Sequence, residues 1–280
     1  MIDLHTHTNE SDGTLTPIEL IEAAVRARLE AIAITDHDTF AGHDQAVDAA
    51  RAAGLELVCG IELNTRLAIG EGAHKTVHLL AYFLNAPPTE EFRAWLDELA
   101  AGRRERNLRL AERLKGRGID IELAEVQRLG RTLTGRPHFA RVLVSKGYAA
   151  TTEQAFRDYL GETAPSFVER DAPDLAAGVE KVARAGGVAV VAHPIRLGAR
   201  GDQEDRLIAR LRETGVAGLE AYHSDHSPQD MERYAALASK YGLKMTGGSD
   251  FHGAVKPQIS LGVGRSNLDV SYNILKALRN

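Results

Sequence analysis

Seven short apolar runs recur along the chain with helical patterns between them, and this alternation constrains the fold more than any other feature. The runs are Ile2–Leu4, Ala31–Ile34, Glu56–Ile61, Val77–Tyr82, Val188–Ala192, Gly218–Ala221 and Leu243–Thr246. Several of the segments between them carry helix punctuation. Pro17 to Arg28, Gly42 to Ala53 before Gly54, Pro173 to Ala185 before Gly186-Gly187, and Pro228 to Tyr241 before Gly242 have starts and stops of this kind. Short buried strands alternating with helices predict a parallel α/β sheet or barrel.

The beat breaks after Leu84. No strand pattern appears between Pro87-Pro88 and about Ser166, while Phe92, Trp95, Leu96 and Leu99 follow helical spacing and read as the core stripe of an inserted unit. A second helix is expected from Thr134-Gly135-Arg136-Pro137 to Lys146-Gly147, and Thr151 with Gln154 reads as a capping box opening a third. The chain therefore divides into a barrel built from 1–86 and 167–280 and a helical insertion, 87–166, expected to form a lid over substrate. Residues 103–146 hold 12 Lys and Arg against 5 Asp and Glu, a net +7 within a chain of net −5, which leaves −12 elsewhere. A basic region inside an acidic protein suits a small anionic ligand and disfavours extended duplex nucleic acid, although most of these side chains read as solvated helix faces.

At 280 residues, 44% of them apolar, the chain is too rich in core formers to be mainly disordered. Its apolar runs fall far short of the roughly 20 residues of a membrane span. The strand Ile2-Asp3-Leu4 directly after Met1 leaves no space for an export signal, and the single Cys59, inside Leu57-Val58-Cys59, reads as a reduced core thiol. We expect a cytoplasmic, membrane-free protein, monomeric as the default.

The chemistry begins at Asp3-Leu4-His5-Thr6-His7, followed by Asp12. Residues two apart on a strand point the same way, so His5 and His7 would present both imidazoles to one place, a natural metal site. Other strands end alike: Thr35-Asp36-His37-Asp38, Gly60-Ile61-Glu62, Ala192-His193-Pro194 and Gly248-Ser249-Asp250-Phe251-His252. In α/β barrels these ends converge on the active site. An all-nitrogen-and-oxygen donor set favours Mn²⁺, Fe²⁺ or Zn²⁺ in an open catalytic site over a cysteine-rich structural zinc. Asp36 and Asp38, flanking His37, are expected to orient imidazoles. His223 and His226 follow the sixth strand and should border the site, whereas His43 and His74 read as surface residues.

Taken together, His5-Thr6-His7, Ser11-Asp12-Gly13, Thr35-Asp36-His37-Asp38, Gly60-Ile61-Glu62, His193-Pro194 and Gly248-Ser249-Asp250-Phe251-His252 resemble the PHP (polymerase and histidinol phosphatase) family of metal-dependent phosphoesterases, within it the nucleoside-bisphosphate phosphatase and RNase AM type. The resemblance implies a distorted seven-stranded (β/α)7 barrel with two to three divalent metal ions, Mn²⁺ first and Fe²⁺ or Zn²⁺ as alternatives. It implies a first metal on His5, His7, Glu62 and Asp250, a second on Glu62, His78 and His193, and a third on Asp12, His37 and His252. His78 falls at the beginning of its strand, which suits this role only if Gly70-Glu71-Gly72 turns a hairpin and the strand runs antiparallel. A carboxylate at Asp12, where other members carry histidine, implies a harder third site. Water held between two metals near Glu62 would lose its proton near neutral pH and attack phosphorus, so Asp12, His37, Glu62 and His193 form the expected catalytic group.

For substrate, Gly135-Arg136-Pro137-His138 joins a guanidinium and an imidazole to a helix N-terminus. Related phosphatases use such an arginine for a substrate phosphate, making Arg136 the first candidate, Arg196 on the catalytic rim the second and His138 the third. The expected substrate is a 3′,5′-bisphosphorylated nucleoside or a short 5′-phosphorylated oligonucleotide. Histidinol phosphatase is an alternative, disfavoured because the +7 region would repel its cationic substrate. A metal-dependent amidohydrolase or deaminase, or a non-catalytic metal-stabilised domain, are the others.

Overall fold

The structure, a computed structural model, describes residues 1–70 and 73–280. All seven expected strands form: β1 (Ile2–Thr6), β2 (Ala31–Ile34), β3 (Glu56–Gly70), β4 (Ala73–Phe83), β5 (Val188–Val191), β6 (Gly218–His223) and β7 (Lys244–Gly248). They make one sheet whose hydrogen-bonded order follows the chain. Neighbours are parallel except that β4 runs antiparallel to both β3 and β5. The reversal is a matter of reach: Gly70 pairs with Ala73, and a parallel crossover needs a dozen or more residues. Glu71 and Gly72, in the expected turn, lie outside the described residues.

Beyond β7 the chain folds back on β1. The Asp250 N–H donates to the His5 carbonyl and the His7 N–H to the Phe251 carbonyl, both at 2.9 Å. Asp3 adds a side-chain tie, accepting from the Ser249 N–H at 2.9 Å and its hydroxyl at 2.6 Å. This seam requires glycine at 248, where a Cβ would stand 2.4 Å from the His5 nitrogen. The result is a nearly closed, seven-stranded barrel, distorted by one reversed strand.

Among the described residues, ten α-helices accompany the sheet: α1 (Pro17–Arg26), α2 (Ala41–Ala53), α3 (Glu90–Lys115), α4 (Leu123–Gln127), α5 (Arg136–Ser145), α6 (Thr152–Ala155), α7 (Leu175–Arg184), α8 (Asp202–Glu213), α9 (Pro228–Lys240) and α10 (Tyr272–Arg279). The strands show why the barrel holds. On β2, Ile32 and Ile34 pack with Leu20, Ile21 and Ala46 of α1 and α2, while Ala31 and Ala33 face a second cluster. That cluster also gathers Ile2, Leu4, Val58, Leu80, Tyr82 and Val190 from four other strands and is capped by Leu275 and Leu278 of α10. Cys59 is buried and free, and burial pushes its thiol up to about 12. Among the described residues, no helix is long and apolar enough to cross a membrane.

Between Glu90 and Leu160 the described elements are all helical. The Phe92–Leu99 stripe differs from expectation. Phe92 and Leu96, with Trp95 and Leu99 against them, join the barrel's cluster beside Phe83 and Leu79, not a core of their own. The separate helical core begins further along α3, at Leu110 and Leu114, and includes Val126, Phe139 and Leu143. One long helix thus belongs to both units, with a C-terminal half that changes partners. The capping box also differs: Thr151 accepts from the Gln154 N–H at 3.1 Å, but the Gln154 side chain reaches past the cap to the Ala150 N–H at 2.8 Å. A π turn, Phe156–Leu160, follows directly.

Candidate active site

His5 and His7 project from the end of β1 with ring centroids 5.2 Å apart, as the period of an extended chain predicts. Glu62 stands at the centre of the donors. Its Oε2 lies 3.3 Å from His5 Nε2, 3.2 Å from His7 Nε2 and 3.3 Å from His37 Nδ1. Its Oε1 lies 2.9 Å from His78 Nδ1 and 3.0 Å from His193 Nε2. His78 reaches this point because β4 is antiparallel and pairs it with Asn64, two residues past Glu62. Asp250 Oδ1 closes the first group, 3.4 Å from His7 Nε2. On the other side of His7, Asp12 lies 3.2 Å from His252 Nε2 and 3.7 Å from His37 Nε2.

All nine residues expected as metal ligands therefore converge. The donor atoms of His7, Asp12, His37 and His252 lie within 4.8 Å of one another, as do those of His5, His7 and Asp250, and those of His37, Glu62 and His78. His5 Nε2 and both ring nitrogens of His7 are buried without a hydrogen-bond partner. Orphaned buried groups of this kind cost roughly 1–3 kcal/mol each, and nitrogens and carboxylate oxygens facing one another are the donor set a divalent cation satisfies. Burial raises the Glu62 carboxyl, but His37, His78, His5 and His193 outweigh it and hold it well below its ordinary 4.5. Asp12 is likewise lifted by burial and held well below 3.8 by His252 and His37. Both carboxylates are ionised, as ligands must be.

The supporting residues are not those expected. Asp36 touches no imidazole: it accepts from the Thr8 N–H at 2.8 Å, the Thr8 hydroxyl at 2.6 Å and the Ser11 hydroxyl at 2.5 Å, fixing the loop that carries Asp12. Asp38 accepts from the Asn64 N–H at 3.0 Å, from Arg170 at 2.9 Å and from Arg103. It reaches His37 only through the Asn64 side chain. Both aspartates are buried, so they bind the nearest donors, which are hydroxyl, amide and guanidinium groups. The group that does orient an imidazole is Glu220, completely buried on β6. It lies 2.9 Å from His5 Nδ1 and accepts from the His193 N–H at 2.6 Å. That second bond helps hold His193 at φ 28°, and Asp38 and Asp250 share the left-handed region at 53° and 57°. Such backbone costs of order 1–3 kcal/mol per residue, here concentrated at the donor cluster. Replacing Glu220 with glutamine removes the charge and sets an amide against one of these donors. Affinity for added Mn²⁺, read by competition with a chromophoric chelator, is expected to fall about 10–100-fold; a change under twofold would deny Glu220 this role.

Two cavities flank the cluster and share Asp12, His37, His78, Pro137 and Phe156. The first, about 420 Å³, is lined by five arginines, Arg66, Arg103, Arg106, Arg136 and Arg170, with Glu162 and Glu169 at its edge, Arg66 being paired with Glu169 at 3.1 Å. Arg136 donates to the Leu160 carbonyl at 3.3 Å and lies over Phe167 at 5.5 Å. Nε of Arg103, Nε of Arg106, and Nε and Nη2 of Arg170 are buried without partners. Burial, with Arg103, Arg136 and Arg170 close by, lowers Arg106 to about 8, a measure of how crowded with positive charge this space is. His138 borders the same cavity but has a structural task, its Nδ1 accepting the Gly135 N–H at 3.1 Å at the start of α5. Arg196 is elsewhere. It faces the second cavity, about 380 Å³, and donates to Asp225 at 2.7 Å and Asp250 at 2.8 Å. His223 is buried 3.6 Å from Asp250 Oδ2, and His226 is spent on the Ala221 carbonyl at 2.8 Å and on packing with Tyr234.

Sequence reasoning missed Arg103, Arg106, Arg170, Glu220 and Lys256, whose Nζ lies 2.7 Å from Asp250 Oδ2. A signal existed for the first two. Their spacing of three on a helix puts them on one face, beside the buried Asn107 and Leu110.

A nearly closed α/β barrel that gathers nitrogen and oxygen donors at its strand ends, beside a guanidinium-lined cavity, is the frame of a metal-dependent hydrolase for phosphorylated ligands. The model of the PHP domain matches residues 3–112. Over 251 residues the chain is 33% identical to a 5′-3′ exoribonuclease of Haemophilus influenzae, covering 89% of each protein. Over 253 residues it is 34% identical to a 3′,5′-nucleoside bisphosphate phosphatase of Chromobacterium violaceum, covering 90% of this chain and 87% of that one. A crystal structure from Bifidobacterium adolescentis, described as a candidate metal-dependent phosphoesterase, superposes with a TM-score of 0.84 at 32% identity, over 99% of this chain and 94% of the other. The chain belongs to the PHP domain family, and it is a phosphoesterase-type hydrolase.

Proposed function

We propose that the chain hydrolyses the 3′-phosphate of 3′,5′-nucleoside bisphosphates and, by the same chemistry, the first internucleotide bond of short 5′-phosphorylated oligoribonucleotides. The observation that carries this reading is the arginine-rich cavity, with Arg103, Arg106, Arg136 and Arg170 on its inner wall, adjoining the donor cluster through Asp12, His37 and His78. A cluster without that cavity would suit any phosphate ester. The cavity supplies a place for a second, retained phosphate.

His5, His7, Glu62 and Asp250 would hold one divalent ion, Glu62, His78 and His193 a second, and Asp12, His37 and His252 a third, with Mn²⁺ the best match to the mixed imidazole and carboxylate donors. When bound, these ions supply charge neutralisation at the phosphoryl oxygens and an acidified water. The chain's own residues do the rest. Glu62 spans two of the donor groups and sets their separation; Asp12 and His37 face the first cavity and flank the reacting phosphate; His193 closes the opposite side. Arg136, with Arg106 behind it, holds the retained 5′-phosphate, and Arg196 balances charge at the rim. Water oxygen joins phosphorus as the bond to the 3′-oxygen breaks, and that oxygen leaves protonated. Within the helical segment 87–166, the part beyond the barrel-packed Phe92–Leu99 stripe acts as a lid over the barrel of 1–86 and 167–280, since the far half of α3 and α5 supply Arg103, Arg106 and Arg136.

The test is phosphate release from 3′,5′-adenosine bisphosphate, 5′-AMP and histidinol phosphate, with Mn²⁺ and with chelator. Release from the bisphosphate should exceed that from 5′-AMP by on the order of 100-fold and stop with chelator. Preference for histidinol phosphate, or chelator-resistant release, would overturn the proposal.

A further inference from the structure

The donor cluster opens on two sides, and the two sides differ in a way a single small substrate does not explain. The first cavity presents buried cations: its Arg103 and Arg106 are 7% and 4% exposed. The second is rimmed by accessible cations, with the side chains of Arg265 and Arg196 46% and 39% exposed, and Arg141 and Lys256 beside them. Among the described residues Arg141 has no carboxylate within 4.0 Å. Arg196, Lys256 and Arg265 are partly balanced by Asp225 and Asp250, Asp225 holding Arg196 at 2.7 Å and Arg265 at 3.4 Å. Outside the donor cluster, whose Asp12 and Glu62 also line this cavity, Glu153 is the other carboxylate on that wall. A terminal phosphate dianion is matched by a cluster of buried guanidinium groups. A continuing polyanion needs an open track of exposed cations instead.

We infer that the second cavity is the binding site for the 3′ continuation of a single-stranded oligoribonucleotide, with Arg141 and Arg265 contacting phosphates downstream of the bond being cut. This rests on the proposed function, and extends it by giving the two cavities opposite polarity along the substrate: 5′ end held among Arg103, Arg106 and Arg136, 3′ chain leaving past Arg265. Phe156, which lines both cavities, stands where the two parts meet.

The test compares kcat/KM on 3′,5′-adenosine bisphosphate and on a 5′-phosphorylated tetraribonucleotide for the wild type, Arg141→Ala/Arg265→Ala and Arg141→Lys/Arg265→Lys. The alanine pair should lose tenfold or more on the tetranucleotide and stay within twofold on the bisphosphate, and the lysine pair should recover most of the loss. Equal losses on both substrates, or an unchanged tetranucleotide rate, would overturn the inference. If the wild type cleaves neither substrate, the parent reading fails while the inference is still decided by binding. Fluorescence anisotropy with a labelled tetraribonucleotide bearing phosphorothioate linkages should then show at least tenfold weaker binding for the alanine pair, and equal binding would overturn it.

Discussion

Glu62→Gln is expected to lower Mn²⁺-dependent phosphate release by on the order of 10³-fold, beyond the 10–100-fold typical of residues that only support a ligand. The reason is its position. Each carboxylate oxygen serves a different set of imidazoles, Oε2 facing His5, His7 and His37 and Oε1 facing His78 and His193. Glutamine fills the same volume, but it carries no charge and turns an NH₂ toward one of the two sets. That set then loses its shared acceptor, and the buried cluster loses the carboxylate that best compensates imidazole and cation charge. The check is metal content of the purified protein by mass spectrometry beside the rate of release. Full metal occupancy with a rate within tenfold of wild type would remove Glu62 from the centre of the site.

Arg106→Ala should separate recognition from chemistry. Arg106 is 4% exposed, its Nε has no partner, and it lies among three other guanidinium groups. A charge-assisted hydrogen bond to a retained phosphate is worth about 1.5–3 kcal/mol, so kcat/KM on the bisphosphate should fall by about 10–150-fold. An aryl phosphate has no second phosphate to lose and should react within twofold of wild type. Arg136→Ala should show the same direction, with Arg136→Lys as its partner variant, because Arg136 also stacks on Phe167 and its loss would loosen the neighbouring loop. Equal losses on both substrates would assign these arginines to folding or catalysis rather than to recognition.

How much of this was legible depends on whether a property is local. Most metal-donor residues announce themselves because they end or follow an expected strand, and strand ends can be found from short runs such as Ala31–Ile34 and Val188–Val191; Glu62 does so only because its apolar run stops at Ile61, whereas β3 continues to Gly70. His78 is the instructive exception. It is legible only after the reversal of β4 is granted, which the shortness of the β3–β4 connection enforces. Glu220 was hidden because a lone carboxylate inside Gly218-Leu219-Glu220-Ala221 looks like the polar position of an alternating strand. Its partners, His5 and the His193 N–H, are 215 and 27 residues away. Asp36 and Asp38 misled for the converse reason: adjacency to His37 in sequence says nothing about which donors surround a buried carboxylate.

The sequence by itself determined the number of strands, their alternation with helices and most of the residues that gather at their ends, because periodicity and turn chemistry act over a few residues, while the choice of a barrel over an open sheet rested on the family resemblance and on the seam between β7 and β1. Only the tertiary structure decided that Arg103, Arg106, Arg136 and Arg170 share one cavity while Arg196 faces another. Those side chains come from α3, from the start of α5 and from the segment before α7, and no spacing along the chain encodes their meeting. It is set by how the far half of α3 leaves the barrel to pack with α5, a choice made by the summed burial of Leu110, Leu114 and Phe139 rather than by any local signal.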